Sequence, residues 1–134
     1  MDRRSPDGKW SRGEQLPDRV LQVLPEDRDR FLQQFPPDLR STAEKVPFAI
    51  IKPPFEGAFA DPDGNIWLVK NYSLADTTRL VQKVGPDGKL AGQYEFPGYG
   101  RVIGGNRDVL LVTESTDQGQ RILVYRIPKV APAS

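Results

Sequence analysis

Cysteine and histidine are both absent from this chain of 134 residues. Without cysteine, no disulfide can form and no thiolate can bind a metal ion. Without histidine, a Ser-His-Asp triad cannot be assembled, and the commonest general base near neutral pH is missing. Asp, Glu, Lys or Tyr could still transfer protons, so an enzyme is not excluded. The composition nevertheless favours a protein with no catalytic residue, no metal site and no cofactor.

The chain also lacks long apolar segments and any marked excess of one charge. No apolar run is long enough to cross a bilayer, so no transmembrane segment is expected. The 19 Lys and Arg residues are balanced by 18 Asp and Glu residues. A nucleic-acid-binding surface needs a basic stripe, and the basic residues here do not cluster with aromatic ones. We therefore expect no nucleic-acid partner.

One tripeptide, Pro-Asp-Gly, recurs at residues 6–8, 62–64 and 86–88. Proline presets φ, aspartate caps the neighbouring backbone and glycine accepts positive φ, so each copy predicts a tight turn. The match extends over residues 6–17 and 86–97, where Lys, two apolar positions and a closing Pro follow the turn at the same spacing. This correspondence indicates an internal repeat rather than a coincidence of common turn residues.

Four short strands are predicted after Pro54, at residues 57–60, 65–70, 79–84 and 90–96. The first has small side chains, the second is apolar enough to be buried on both faces, the third is mixed and the fourth alternates. A second series follows, with strands at residues 101–104, 108–113 and 121–127 and a polar loop over residues 114–120. The second series has no fourth strand.

The segment between the repeated parts has a different character. Residues 27–35 have helical spacing, with Phe31, Leu32 and Phe35 on one side, and residues 38–45 predict a second short helix. Pro36 and Pro37 separate the two. This segment has too few apolar residues to form a core alone, so it is interpreted as an insertion.

Residues 61–69 read DPDGNIWLV. This stretch resembles the blade motif of six-bladed β-propellers of the NHL-repeat and TolB-like kind, in which an Asp-x-x-Gly turn leads into an Ile/Leu-Trp-Val strand. Residues 84–90 resemble the outer hairpin of such blades, and residues 120–127 resemble their C-terminal strand. Bacterial six-bladed propellers of unknown function also carry a charged helical insertion before such a motif.

The resemblance implies a mainly β fold of about two antiparallel four-stranded blades, with a short helical insertion near the N-terminus. The implied segments are an outer strand of a preceding blade (1–17), the helical and Pro-rich insertion (18–56), a complete blade (57–97) and an incomplete last blade with a tail (98–134). A closed propeller needs at least about four blades. The chain is therefore expected to be a C-terminal fragment, or to complete a ring by self-association. Blade faces at Trp67, Leu110 and Val124 are expected to lie uncovered in a lone copy.

Three motifs invite a chemical interpretation that the spacing does not support. Asp61, Asp63 and Asn65 resemble part of a calcium loop, but aligning Gly64 with the invariant glycine leaves no acidic residue at either end, so a capped turn is preferred. The glycines of residues 98–105 lead into a strand and not into the helix of a phosphate loop. Trp67 could stack on a sugar or a base, but its apolar strand favours a place in the core.

The predicted binding surface consists of polar residues at the ends of the blades. They are Asn71, Tyr72, Asp76, Tyr99, Arg101, Glu114 and Asp117.

The leading hypothesis is a non-catalytic binding or scaffold module whose partner is a protein or a carbohydrate. The alternative is a fragment of a propeller enzyme, a lactonase-like hydrolase or a lyase; the resemblance extends to virginiamycin B lyase-like repeats, whose histidine is missing here. A third hypothesis is a truncated product without a present function.

Overall fold

The computed structural model describes residues 1–98 and 100–128. They form a mainly β fold of antiparallel strands with two helices, which confirms that part of the expectation. The strands are β1 Arg3–Arg4, β2 Trp10–Ser11, β3 Phe55–Ala60, β4 Ile66–Lys70, β5 Thr78–Val84, β6 Leu90–Pro97, β7 Arg101–Gly105, β8 Val109–Thr116 and β9 Gly119–Arg126. The helices are α1 Pro25–Gln33 and α2 Pro37–Ala43. Within these residues no sheet closes on itself, and neither helix is long and apolar enough to span a membrane.

The strands β3, β4, β5 and β6 form one antiparallel sheet in which each strand pairs with the next along the chain. Pro-Asp-Gly turns join β3 to β4 and β5 to β6, as predicted. Gly64 and Gly88 have φ values of 83° and 78°, in the left-handed region that glycine adopts without strain. The Gly64 N–H donates to the Asp61 carbonyl at 3.1 Å, and the Gly88 N–H donates to the Gly85 carbonyl at 2.9 Å. These hydrogen bonds close the two turns.

The strands β7, β8 and β9 form a second antiparallel sheet. The prediction of a polar loop over residues 114–120 is wrong, because β8 continues to Thr116 and β9 begins at Gly119. The Glu114 carboxylate lies 2.6 Å from the Arg121 guanidinium across the two strands, and Gly119 has a φ of 125° that permits a tight turn. Paired polar side chains thus extend this hairpin beyond the apolar layer instead of ending it.

The two sheets pack face to face through one apolar layer. Its buried members are Trp67, Val69, Val81, Phe96, Leu110 and Val112. The Trp67 ring is fully buried and lies parallel to Phe59, with ring centroids 5.9 Å apart, which confirms its place in the core. The expectation that Trp67 and Leu110 lie uncovered is wrong, because each sheet covers the other. Val124 points away from the layer and is 61% exposed, as expected.

The N-terminal segment crosses the opposite face of the first sheet. Alternation along the strands places Lys70 and Gln82 on this face, away from the core layer. The Gln82 amide donates to the Pro17 carbonyl at 2.8 Å, and the Lys70 ammonium donates to the Asp18 carboxylate at 2.6 Å. Arg3 donates to a turn carbonyl of the sheet, that of Gly85, at 3.0 Å. In this segment strand structure is limited to β1 and β2, shorter than the repeat predicts.

The helical insertion forms a small cluster of its own. The helix α1 begins with Pro25 at its first turn, where proline costs no hydrogen bond. Phe31 packs edge-on against Phe35 and Phe48, with 5.2 Å between ring centroids in each pair. The predicted aromatic face of the helix is therefore turned inward. An antiparallel bridge between Gln22 and Ile51 brings the two ends of the insertion together.

Candidate functional site

The loop between β4 and β5 contains three of the predicted binding residues, Asn71, Tyr72 and Asp76. The Asp76 carboxylate accepts a hydrogen bond from the Ser73 N–H at 2.9 Å and pairs with the Arg19 guanidinium at 2.5 Å. These two donors, Arg19 above all, hold the pKa of Asp76 below its usual value. A charged Asp76 therefore fixes the loop internally and attaches it to the N-terminal segment.

The start of the same loop is held by the Pro-rich entry to β3. The Asn71 N–H donates to the Pro54 carbonyl at 3.3 Å, and the Asn71 side-chain amide donates to the Pro53 carbonyl at 3.2 Å. The amide oxygen of Asn71 accepts from the Tyr72 N–H at 3.0 Å. With its amide used in this way, Asn71 positions Tyr72 in the loop.

Lys52 connects the loop to the helical insertion. Its ammonium group donates to the Tyr72 carbonyl and to the Asp27 carboxylate, both at 2.8 Å. Asp27 also accepts the Leu24 N–H at 2.9 Å and so caps the start of α1. Partial burial raises the pKa of Asp27, but the hydrogen bonds from Lys52 and Leu24 outweigh it and leave that pKa lowered. One ammonium group therefore holds the helix start and the loop in a fixed relation.

The ring of Tyr72 is covered by an arginine from the neighbouring strand. The Arg79 guanidinium lies 3.2 Å from the ring centroid, and the Lys52 ammonium lies 5.9 Å from it. A cation over an aromatic face is attracted by the ring quadrupole. Tyr72 is half-buried, and the stacking fixes the Arg79 side chain as well. Tyr72 lines both of the grooves described next and forms the wall between them.

The first groove, here called the Lys70 groove, has a volume of about 330 Å³. Its lining residues are Pro17, Asp18, Arg19, Lys70, Asn71, Tyr72, Asp76, Thr78, Leu80, Gln93 and Glu95. Most of its charges neutralise one another, since Lys70 pairs with Asp18 and Arg19 pairs with Asp76. This groove is therefore polar without a strong local charge.

The second groove, here called the arginine groove, has a volume of about 890 Å³. It lies between the first strands of the two sheets, β3 and β7. Its lining residues are Arg30, Glu56, Gly57, Ala58, Phe59, Val69, Tyr72, Arg79, Gly100, Arg101, Val102, Ile103, Thr113, Ser115 and Gln120. Three arginines from α1, β5 and β7 face it together with a single carboxylate, that of Glu56. Desolvation raises the pKa of Glu56, and the charges of Arg79 and Arg101 only partly offset this effect.

Both strands that border the arginine groove are irregular at the groove. The pairing of β3 with β4 shifts between Phe55 and Gly57, which leaves Glu56 as the extra residue. The pairing of β7 with β8 shifts between Val102 and Gly104, which leaves Ile103 as the extra residue. A bulge re-aims side chains and is common beside binding sites. Here the two bulged residues both line the groove.

The structure brings together only some of the predicted site residues. Asn71, Tyr72 and Asp76 meet at the Lys70 groove, and Tyr72 and Arg101 meet at the arginine groove. Glu114 lies on β8 in its ion pair with Arg121, and Asp117 lies at the tip of the β8–β9 hairpin; neither lines a groove. Tyr99 lies outside the described residues.

Sequence reasoning missed three groove residues, Arg30, Glu56 and Arg79. For Arg79 the sequence contained a local indication. A charged side chain on a strand next to a buried strand must either reach solvent or interact with another side chain. Glu56 stands just before the predicted strand, and only the bulge turns it into the groove. Arg30 belongs to the insertion, and its position depends on contacts distant in sequence.

The turn before β4 has the chemistry of a cap. The Asp61 carboxylate accepts hydrogen bonds from the Asp63 and Asn65 N–H groups at 2.9 and 3.0 Å. It also accepts from the Asn65 side-chain amide and from the Trp67 indole N–H, both at 2.9 Å. This arrangement supports the interpretation as a capped turn, with the carboxylate oxygens occupied by protein donors.

The two grooves and the Tyr72 wall between them are the candidate functional site. Within the described residues, no group of three or more acidic side chains is arranged to hold a metal ion. The chain matches no known family model, and neither a curated protein nor a solved structure is significantly similar to it.

Proposed function

We propose that the two sheets are successive blades of a six-bladed propeller of the NHL-repeat and TolB-like kind. Two features support this proposal. Both sheets are simple meanders with a bulged first strand, and they stack face to face. Both first strands border the same groove, as the inner strands of neighbouring blades do at a propeller axis.

The internal repeat also supports the propeller. The hairpin that contains residues 6–8 lies beside the hairpin that contains residues 86–88. The Arg3 guanidinium donates to the Gly85 carbonyl at 3.0 Å, and the Glu14 N–H donates to the Gly88 carbonyl at 3.3 Å. The turn at residues 86–88 therefore contacts the open end of the first hairpin, at Gly13 and Glu14, so two segments with matching sequences are neighbours.

We propose further that the chain is a non-catalytic binding or scaffold module with its binding surface at Tyr72. The observation that supports this proposal most is the way in which the loop is held before any ligand arrives. Asn71, Lys52 and Asp76 fix its backbone, and Arg79 fixes the tyrosine ring. A surface ordered in advance loses less conformational entropy on binding. Guanidinium and amide groups donate hydrogen bonds but do not act as general bases at neutral pH.

The proposal is tested by NMR titration of the ¹⁵N-labelled chain with three classes of probe: neutral oligosaccharides, short peptides and small organic anions. We expect at least one class to give saturable shifts in residues 71–79 and 100–103, with the probe recovered unchanged by mass spectrometry. Tyr72→Ala should abolish the shifts, while Trp10→Ala, which removes an aromatic ring that is 71% exposed, should leave them intact. Chemical conversion of a probe, or saturable binding indifferent to Tyr72→Ala, would contradict the proposal.

A further inference from the structure

The charges of the arginine groove are unbalanced. Arg30, Arg79 and Arg101 contribute three positive charges, and Glu56 contributes one negative charge, so the lining carries a net charge of about +2 at neutral pH. Each acidic group that forms an ion pair in the described residues does so with a basic residue other than these three arginines. Within the described residues, none of the three guanidinium groups pairs with a carboxylate or donates a side-chain hydrogen bond. The groove therefore offers many N–H donors and few hydrogen-bond acceptors of its own.

This imbalance is local, because the whole chain is almost neutral. The whole chain has 19 basic and 18 acidic residues, and the six ion pairs of the described residues all lie outside the arginine groove, two of them in the adjacent Lys70 groove. Like charges that face a common space repel one another unless a counter-charge enters it. Two of the arginines come from different sheets and the third comes from α1, so no single helix or strand pattern accounts for their convergence.

The geometry of the groove favours a compact anion. Stacking on Tyr72 fixes the Arg79 guanidinium, which lowers the entropy lost when it binds. Gly57 lines the groove on β3, and a Cβ at this position would meet no other atom, so the groove has open space there. Planar guanidinium groups bind carboxylate and phosphate oxygens in bidentate fashion.

We propose that the arginine groove binds a small molecule through an oxyanion, a carboxylate or a phosphate group, held by Arg79 and Arg101. Arg30 adds positive charge from α1, and Glu56 opposes binding. This inference rests on the proposed function as a binding module and specifies the ligand class of the same surface. Because the interaction is charge-assisted, its affinity falls as ionic strength rises.

The test is isothermal titration calorimetry of the whole chain with two probes, inorganic phosphate and citrate, which separate phosphate from carboxylate as the preferred group. We expect saturable binding of at least one probe. Arg101→Gln and Arg79→Gln should each weaken binding by about tenfold or more, the effect of removing one charge-assisted hydrogen bond. Glu56→Gln should strengthen binding several-fold, and a misfolded variant could not produce that gain.

The matched control is Arg126→Gln, which removes an exposed arginine of β9 outside both grooves and should leave the affinity unchanged. Equal weakening by Arg126→Gln and Arg101→Gln would reduce the effect to net charge and overturn the proposal. Absence of binding by both anions would also overturn it. If neutral oligosaccharides or peptides still bind at Tyr72 in that case, the binding module stands and only the ligand class is wrong. If nothing binds, both proposals fail.

Discussion

At the scale of single residues, the Asp61 carboxylate organises the turn that leads into the buried strand β4. It is 6% exposed and receives hydrogen bonds from two backbone N–H groups, the Asn65 amide and the Trp67 indole. Burial raises its pKa, but the hydrogen bonds from Trp67 and Asn65 outweigh this effect, so the pKa of Asp61 is lowered. A pKa that is lower in the folded state means that the charged form stabilises the fold.

Asp61→Asn replaces one acceptor oxygen by a donor and removes the charge. We expect it to lower the free energy of unfolding by about 1.5–3 kcal/mol at neutral pH, the usual contribution of hydrogen bonds to a charged group. The stabilisation from Asp61 is complete above the pKa of an unfolded aspartate, about 3.9, and is lost as the pH falls through the lower folded pKa. The difference between the two proteins should therefore shrink in acid.

Urea unfolding at neutral and acidic pH measures this difference, followed by Trp67 fluorescence in a Trp10→Phe background. The control is Asp87→Asn in the related turn before β6. There the carboxylate is exposed and, among the residues that the structure describes, accepts only the Lys89 N–H, at 3.0 Å. Equal destabilisation by the two substitutions, or a difference that does not depend on pH, would show that the buried charge of Asp61 has no special part in stability.

The sequence allowed the cap and the core position of Trp67 to be predicted, because both follow from neighbours within a few residues. The Pro-Asp-Gly spacing specifies the turn, and four consecutive apolar residues specify a buried strand. The stacking of Arg79 on Tyr72 could not be predicted in the same way. It depends on how the intervening loop folds back, and that loop is shaped by Asp76, Lys52 and the N-terminal segment.

At the scale of elements, the second sheet has one covered face and one uncovered face. Leu110 on β8 is 3% exposed in the layer between the sheets, whereas Ile122 and Val124 on β9 are 63% and 61% exposed on the far side. In the described part of the chain, β9 pairs only with β8. The strands could be predicted from the sequence, but the covered face could not. Alternation assigns side chains to two faces of a sheet but does not indicate what packs against each face.

The double substitution Ile122→Lys and Val124→Lys tests this assignment of faces. We expect the melting temperature to change little, because substitutions at exposed positions usually alter stability by about 0.5 kcal/mol or less. Leu110→Lys is the matched substitution on the covered face. It buries an unpaired charge and should prevent folding or lower the melting temperature strongly. Circular dichroism melts of the unsubstituted protein and the two variants, at a concentration low enough for single chains to predominate, make the comparison. Similar losses in the two variants would mean that both faces are covered.

The candidate site is also a property of several elements together. The charged residues of the arginine groove come from α1, β3, β5 and β7, and both bulged residues line that groove. Pattern analysis locates strands because their periodicity is local, but it does not show which strands from different sheets become neighbours. Tyr72 and Arg101 were predicted as blade-end residues, whereas the groove that they share became visible only in three dimensions.

At the scale of the whole molecule, the central proposal is that these sheets are propeller blades and that the second sheet needs a neighbour on its outer face. The core layer satisfies one face of each sheet. Ile122 and Val124 leave apolar surface on the outer face of the second sheet, with exposures of 63% and 61%. Contiguous apolar surface of this kind favours association. The candidate partners therefore include a second copy of the chain as well as a protein or a carbohydrate.

Size-exclusion chromatography with multi-angle light scattering tests this claim most directly, applied to the whole chain over a range of concentrations. The propeller account predicts a mass above 15.0 kDa that rises with concentration toward a defined oligomer. The Ile122→Lys and Val124→Lys protein should shift back toward the single-chain mass. The mass of a single chain at every concentration, together with one cooperative unfolding transition, would contradict the account.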